Sequence, residues 1–511
     1  MARCFITTIG CKVNQYESQA AGALLERLGL MPAPREALGR GDLVCVNTCC
    51  VTSAAAAKSR RAIRRAVRNH PGADLFIFGC YATRSPDALR RLAIEAGAGG
   101  EVHVVGHDDD VAACLARATA SREHPGRPGD ASSSLGRPAA NRAAAQGLSA
   151  EDAGPCRNEG SMRASPGQCP NTPGTPTTSD SIEASGAAEV KCRSHEIGTA
   201  GLGPLGRFAA HQRAFVKVQD GCDAFCAYCI VPHVRRHLWW RRPDEVVAEV
   251  ETLVAAGHRE VVLCGAHLGA YGRDGSGPGR AASLGDLVRR VAVVPGLWRV
   301  RLSSLHVADM DEDLLAAFGE CPAVAPHAHL SLQSGSRAVL RRMNRHYTPG
   351  EFLDTIARLR ATADDFAVTT DVIVGFPHET EADFAETLAV ARAAQFSKIH
   401  IFPFSPREGT AAWAWRRAAP PRAVVKDRCR RLAVAERELA QAFRQRFVGR
   451  IVEALAEKPN AATPPAHARA LTDRYVEIVF PAAADLAGQV VPITVTRVSE
   501  AGLTGRAARR V

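Results

Sequence analysis

Six short apolar runs, at residues 214–219, 260–265, 299–303, 328–333, 368–375 and 398–404, are spaced widely enough for a crossover between each pair. Two of the intervening stretches, 243–256 and 381–394, carry clear helical periodicity. Strands that alternate with helices form parallel sheets, because a parallel neighbour is reached only through a crossover. Such a series predicts a partial β/α barrel, whose chemistry sits on the loops after its strands.

A second α/β unit precedes it. Strand-like runs at 4–9, 43–46 and 75–78 alternate with helical stretches, including 17–28 and 54–67. Each run leads almost directly to a cysteine: Cys11, Cys49 and Cys80. The carboxyl ends of parallel strands share one edge of a sheet, so these residues can converge there. By position alone they read as buried core thiols before ligands.

Between the units, residues 118–206 are crowded with Gly, Pro, Ser, Thr and Ala, as in GPCRNEGSMRASPGQCPNTPGTPTTSDS. That composition buries too little apolar surface to offset its ordering entropy, so a flexible linker or insertion is expected, with Cys156, Cys169 and Cys192 incidental. After the barrel, a long helical run at 423–446 leads to VEIVF and VVPITVTRV, which read as a small antiparallel β domain. The expected division is therefore 1–117, 118–206, 207–440 and 441–511 in a chain of 511 residues, too long for one core.

Charge and cysteine usage narrow the function classes. Lys and Arg number 64 against 53 Asp and Glu, a formal charge of +11 that suits a polyanion such as RNA and equally suits an Arg-rich surface. The opening MARCFITTIGCKVNQYES meets Cys, Lys and Glu too early for a signal peptide, and no apolar stretch is long enough to span a bilayer. A cytoplasmic protein with no membrane partner is expected. Sixteen cysteines are too sparse for a disulfide scaffold of this length and are better used as metal ligands in a reducing compartment.

The sharpest local feature is QDGCDAFCAYC at 219–229, a CxxxCxxC loop just after the first barrel strand. Cys222, Cys226 and Cys229 can bring three thiolates to one iron-sulfur cluster and leave a fourth iron open. Zinc is the alternative, with His233 a nearby fourth ligand, and redox or incidental thiols are a third. Tyr228 reads equally as packing or function. At later strand ends, Gln333, Ser334 and Gly335 offer polar groups and a tight turn, while Gly375 before Pro377 permits close backbone approach.

The CxxxCxxC loop resembles the signature of the radical S-adenosylmethionine superfamily. HAHLSLQSGSRAVLRRMNRHYT at 327–348 and TTDVIVGFPHETEADF at 369–384 resemble the later barrel strands of its methylthiotransferase branch. The resemblance implies that Cys222, Cys226 and Cys229 hold a 4Fe-4S cluster that reductively cleaves S-adenosylmethionine, with Gln333, Ser334, Gly335 and Gly375 in the cofactor wall. TTIGCKVNQYES, VNTCCVTSAAAAKSR and FIFGCYA resemble the amino-terminal domain of the same branch. There the implied role of Cys11, Cys49 and Cys80 is to hold a second 4Fe-4S cluster that presents sulfur. Cys50 stands where relatives commonly have Thr and is not counted. No further catalytic residue is implied.

Three substrate branches exist: N6-isopentenyladenosine in transfer RNA, N6-threonylcarbamoyladenosine in transfer RNA, and an aspartate of a ribosomal protein. GCKVN and NTCCVT most resemble the threonylcarbamoyladenosine branch. The resemblance thus implies C2 methylthiolation at position 37 of the anticodon stem-loop, with a low-potential electron donor and a sulfur donor as further partners. The last 65 or so residues resemble a TRAM domain, an RNA-binding β barrel, with Arg474, Arg497, Arg506, Arg509 and Arg510 available.

Candidate RNA contacts fall in two patches. Lys58, Arg61, Arg65 and Arg68 recur on one helical face beside Cys49, a pattern that also fits a solvated face. VRRHLWWRR at 234–242 offers Arg235 and Arg241 to phosphates and Trp239 or Trp240 to a base. Relatives carry a more Gly- and Ser-containing motif there, and Arg236 replaces the usual Gly. A nonenzymatic zinc-containing RNA-binding protein is the alternative from another class; it leaves Cys11, Cys49 and Cys80 without a role.

Overall fold

The computed structural model describes residues 2–120, 200–209, 211–273, 283–500 and 502–508. Most of the expected insertion, with Cys156, Cys169 and Cys192, lies outside the described residues, as do Arg509 and Arg510.

The amino-terminal unit is one parallel sheet built from β1 (Arg3–Thr8), β2 (Met31–Pro32), β3 (Leu43–Thr48), β4 (Asp74–Gly79) and β5 (Val102–Val105), ordered β2-β1-β3-β4-β5. The helices are α1 (Lys12–Arg27), α2 (Ser53–Asn69), α3 (Cys80–Arg84), α4 (Pro86–Glu95) and α5 (Val111–Ala120). Every residue of β3 is buried, as expected for a central strand covered on both faces. α1 starts at Lys12, five residues before the expected start at 17. The intervening KVNQY looked polar, but Val13, Asn14 and Tyr16 are all buried.

The six barrel strands appear as Arg213–Lys217, Glu260–Cys264, Arg299–Leu302, His327–Leu330, Ala367–Val374 and Lys398–Pro403. They form an open arrangement of two parallel sheets of three strands each, the second extended to four by Ser304–Leu305. The tail is a closed five-stranded barrel containing Val490–Val498, with one parallel pair between Glu477–Pro481 and Leu503–Ala507. Closure leaves it no open sheet edge.

Two edges of the expected division move. α5 runs to Ala120, and Leu202 and Leu205 are buried in the main core, so ordered structure enters the 118–206 segment from both ends. The helix Arg422–Gln445 crosses the boundary at 440, with Phe443 packed into the core of the C-terminal barrel.

The amino-terminal unit is fastened to the first barrel strand by a buried ionic network. Lys217 Nζ lies 2.8 Å from Glu17 Oε1 and 2.5 Å from Asp220 Oδ2. Arg235 Nη1 donates to Glu17 Oε1 and to Asp220 Oδ1, each at 2.8 Å. Against the effect of burial, Arg235 and Lys217 hold the Asp220 carboxyl down at about 2 and keep Glu17 well below the usual carboxylate range. Arg235 is therefore not an RNA contact: it is 4% exposed and its guanidinium is committed inside the protein. Removing one partner of such a network strands a buried charge. Arg235→Met should cost about 3–5 kcal/mol, read as a lower midpoint in thermal or denaturant unfolding; wild-type stability would refute this role.

Candidate functional site

The three amino-terminal cysteines meet at one sheet edge. Register pairs Thr8 with residue 47 through β1 and β3, and Thr48 with Gly79 through β3 and β4. Cys49 and Cys80 follow directly on those strand ends, and Cys11 is the N-cap of α1. Cys49 and Cys80 are buried while Cys11 is exposed. Burial raises the pKa of Cys49 and of Cys80, and each feels the charge of Cys11 and of Arg235. Asn14 tightens the edge: its Nδ2 donates to Asn47 Oδ1 at 2.9 Å, and Cys11 Sγ donates to Asn14 Oδ1 at 3.3 Å.

The second set lies on the loop after strand Arg213–Lys217. Cys226 is buried, and Cys222 and Cys229 are half-buried. Burial pushes the Cys229 thiol up to about 12. Arg345 Nη1 donates to Cys226 Sγ at 3.6 Å, and Asn344 Nδ2 donates to the carbonyls of Ala224 at 3.3 Å and Phe225 at 3.1 Å. Phe225 is held at φ 41°, the left-handed region that non-glycine residues rarely occupy. Three thiols on one short loop, with burial opposing ionisation of Cys229 and a guanidinium against Cys226, fit the donor set of an iron-sulfur cluster. His233 stacks edge-on against Phe225 with ring centroids 5.8 Å apart.

The two sets adjoin. Cys50 and Cys80 pack in one apolar cluster with Ile230 and Val234, on the turn that follows Cys229. Arg235 closes that turn and acts electrostatically on Cys80.

The remaining candidates separate clearly. Gln333, Ser334 and Gly335 form a buried turn, with the Gly335 N–H donated to Thr387 Oγ1 at 3.0 Å; a Cβ at Gly335 would meet the Thr387 backbone at 2.6 Å. Gly375 adopts φ 79° and donates its N–H to Glu379 Oε2 at 2.6 Å, and Glu379 in turn binds Arg428. These contacts give all four residues a turn-forming role. Tyr228 packs with Ala227, Met343 and Phe376. Trp240 is buried edge-on against Tyr271, and Lys217 lies over the ring of Trp239, so both tryptophans pack against the protein. Arg241 is half-buried and paired with Glu249. Lys58, Arg61, Arg65 and Arg68 are exposed along α2, opposite its buried Ser59, Ile63 and Val67.

Sequence reasoning missed several groups. Beside Cys222, His267 Nε2 lies 3.2 Å from Asp309 Oδ2, with the His306 ring tilted against His267 at 4.4 Å between centroids. Burial works against the charged imidazole, yet Asp309 and Cys222 hold its pKa up at about 10. Cys80 Sγ lies 3.8 Å from the buried His107 Nε2. Histidines scattered along a chain carry no spacing signal for such clusters.

Among known proteins, residues 216–391 match the Radical SAM superfamily, and residues 3–97 match Uncharacterized protein family UPF0004. The chain is 31% identical over 455 residues to "Threonylcarbamoyladenosine tRNA methylthiotransferase MtaB" of Thermotoga maritima, covering 88% of this chain and 86% of that protein. With the Bacillus subtilis protein of the same name it shares 30% identity, covering 97% and 94%. A "tRNA-2-methylthio-N(6)-dimethylallyladenosine synthase" of Parafrankia sp. is 47% identical over 247 residues, 48% of this chain and 49% of that one.

The grip of Asn344 on the cysteine loop has a direct readout. Asn344→Ala removes two hydrogen bonds worth about 0.5–1.5 kcal/mol each, so Cys222 and Cys226 of the metal-free chain should be alkylated faster, as followed by mass spectrometry. Unchanged labelling rates would show that the loop is held by other contacts.

Proposed function

Because the chain belongs to the MtaB-like radical S-adenosylmethionine methylthiotransferase family, we propose that it converts N6-threonylcarbamoyladenosine at position 37 of transfer RNA to its 2-methylthio derivative. The observation that carries this reading is the near full-length likeness to two proteins named for that substrate. The adjoining cysteine sets agree with it, since sulfur insertion needs a sulfur-bearing centre close to the carbon being activated.

In this reading Cys222, Cys226 and Cys229 hold one 4Fe-4S cluster, and Cys11, Cys49 and Cys80 hold the other. When bound, the clusters and S-adenosylmethionine supply the hydrogen abstraction, the sulfur and the methyl group. The protein's own residues position and shield. Arg345 places a positive charge against Cys226, and Asn344 fixes the loop backbone. Gln333, Ser334, Gly335 and Gly375 shape the wall at the cofactor. Lys58, Arg61, Arg65 and Arg68 offer a cationic face to the phosphates of the anticodon stem-loop. A low-potential electron donor and a sulfur source complete the reaction in the cytoplasm; among the described residues no helix is long and apolar enough to cross a membrane.

Transfer RNA nucleosides from cells with and without this chain, compared by mass spectrometry, test the assignment. In cells with no second such enzyme, 2-methylthio-N6-threonylcarbamoyladenosine should disappear on deletion. Its persistence, with loss of the methylthio-isopentenyl nucleoside instead, would move the enzyme to the other branch. Anaerobic reconstitution should give about eight irons per chain, and replacing Cys222, Cys226 and Cys229 together should leave about four. Full iron retention in that variant would overturn the ligand assignment.

A further inference from the structure

Three adjacent parallel strands of the radical-SAM domain, His327–Leu330, Ala367–Val374 and Lys398–Pro403, carry a polar cluster that the cysteine chemistry does not use. Leu330, Val372 and Ile399 are buried in the main core. Side chains alternate along a strand, so their neighbours His329, Asp371 and His400 stand together on the opposite face. Register sets His329 beside Thr369 and Asp371 beside His400. His329 and Asp371 are half-buried and His400 is exposed, which leaves the cluster open to a small solute.

One nitrogen or oxygen atom of each residue lies within 4.8 Å of the others, and His329 Nε2 is 3.2 Å from Asp371 Oδ2. On the far side of its ring, His329 Nδ1 lies 2.9 Å from Thr369 Oγ1, a contact that fixes the imidazole and aims Nε2 at the carboxylate. A hydrogen bond to the second ring nitrogen is the usual support of a metal-binding histidine. Nearby cations are committed elsewhere: Lys398 pairs with Glu436 at 2.9 Å, and Arg301 with Glu260 at 2.7 Å. A proton can bridge His329 and Asp371, but it leaves His400 without a part; a metal ion engages all three.

We propose that His329, Asp371 and His400 bind one divalent transition-metal ion through two imidazole nitrogens and one carboxylate. This mixed donor set suits zinc, whose bonds to nitrogen and oxygen are about 2.0–2.2 Å. Two such ligands on one tetrahedral ion lie about 3.3 Å apart, against the 3.2 Å between His329 Nε2 and Asp371 Oδ2. His400, on the edge strand and exposed, closes on the ion by turning its side chain. Three protein ligands leave one position open to a further oxygen donor. The Gln333 N–H donates to the Asp371 carbonyl at 2.8 Å, so the site adjoins the turn of Gln333, Ser334 and Gly335. None of its ligands is a cysteine, which makes it a centre separate from both proposed clusters.

The test uses the untagged full-length chain with its clusters reconstituted anaerobically, so that the cysteines are occupied, then exposed to zinc and desalted. Elemental analysis should find about one zinc per chain, and X-ray absorption at the zinc edge should show only nitrogen and oxygen ligands at about 2.0–2.2 Å. His400→Ala should lose that zinc. Thr369→Val keeps all three ligands but removes the hydroxyl behind His329, and should weaken zinc binding about tenfold to a hundredfold. Iron content and the cluster spectrum, read in the same samples, show that each variant is folded. Wild-type chain that retains no zinc, sulfur among the zinc ligands, or zinc undiminished in His400→Ala would overturn the site.

Discussion

The buried network of Glu17, Lys217, Asp220 and Arg235 is the constraint on which the rest of the structure depends. Glu17 lies in the second turn of the helix that Cys11 caps, Lys217 ends the first barrel strand, Asp220 precedes Cys222, and Arg235 follows Cys229. Two carboxylates and two cations of opposite sign thus tie both cysteine sets to one rigid point. All four are excluded from water, so the network has no cheap partly broken state. Its contribution is to geometry: it fixes one set of thiols against the other, as bridging chemistry requires, more than it adds to net stability.

Around this point the protein assembles thiols that resist ionisation. Burial raises Cys49, Cys80 and Cys229, and the countering charges are Arg235 on one side and Arg345 on the other. Such sites favour occupation by a cationic centre over free thiolates, which protects them from side reactions. The apolar contact of Cys80 with Ile230 and Val234 then keeps water from the seam between the two sets.

Much of this was legible in the chain. The six barrel strands fall within a few residues of their expected positions because apolar runs bounded by polar turns encode burial locally. The cysteines after β3 and β4 were readable for the same reason. Arg235 was not: beside Arg236 and two tryptophans it looks like an RNA-binding patch, and only its partner Glu17, 218 positions away, turns it inward. The start of α1 was hidden likewise, because Asn14 and Glu17 are polar residues buried by distant partners. Local pattern reports whether a side chain is apolar; it is silent on which polar groups find each other across a fold. Gln333, Ser334, Gly335 and Gly375 were legible as turn formers, because tight turns at strand ends are encoded by neighbouring residues.

The C-terminal barrel was expected as an RNA-binding appendage, yet its turn reaches beneath the radical-SAM sheet. Arg301 donates to the carbonyls of Thr472 at 2.6 Å and Asp473 at 2.7 Å, and Tyr475 stacks on His327. The module that resembles an RNA handle is therefore also masonry for the radical-SAM sheet. An exchange of this domain between relatives would remove the acceptors of Arg301 and the ring that covers His327 along with the handle.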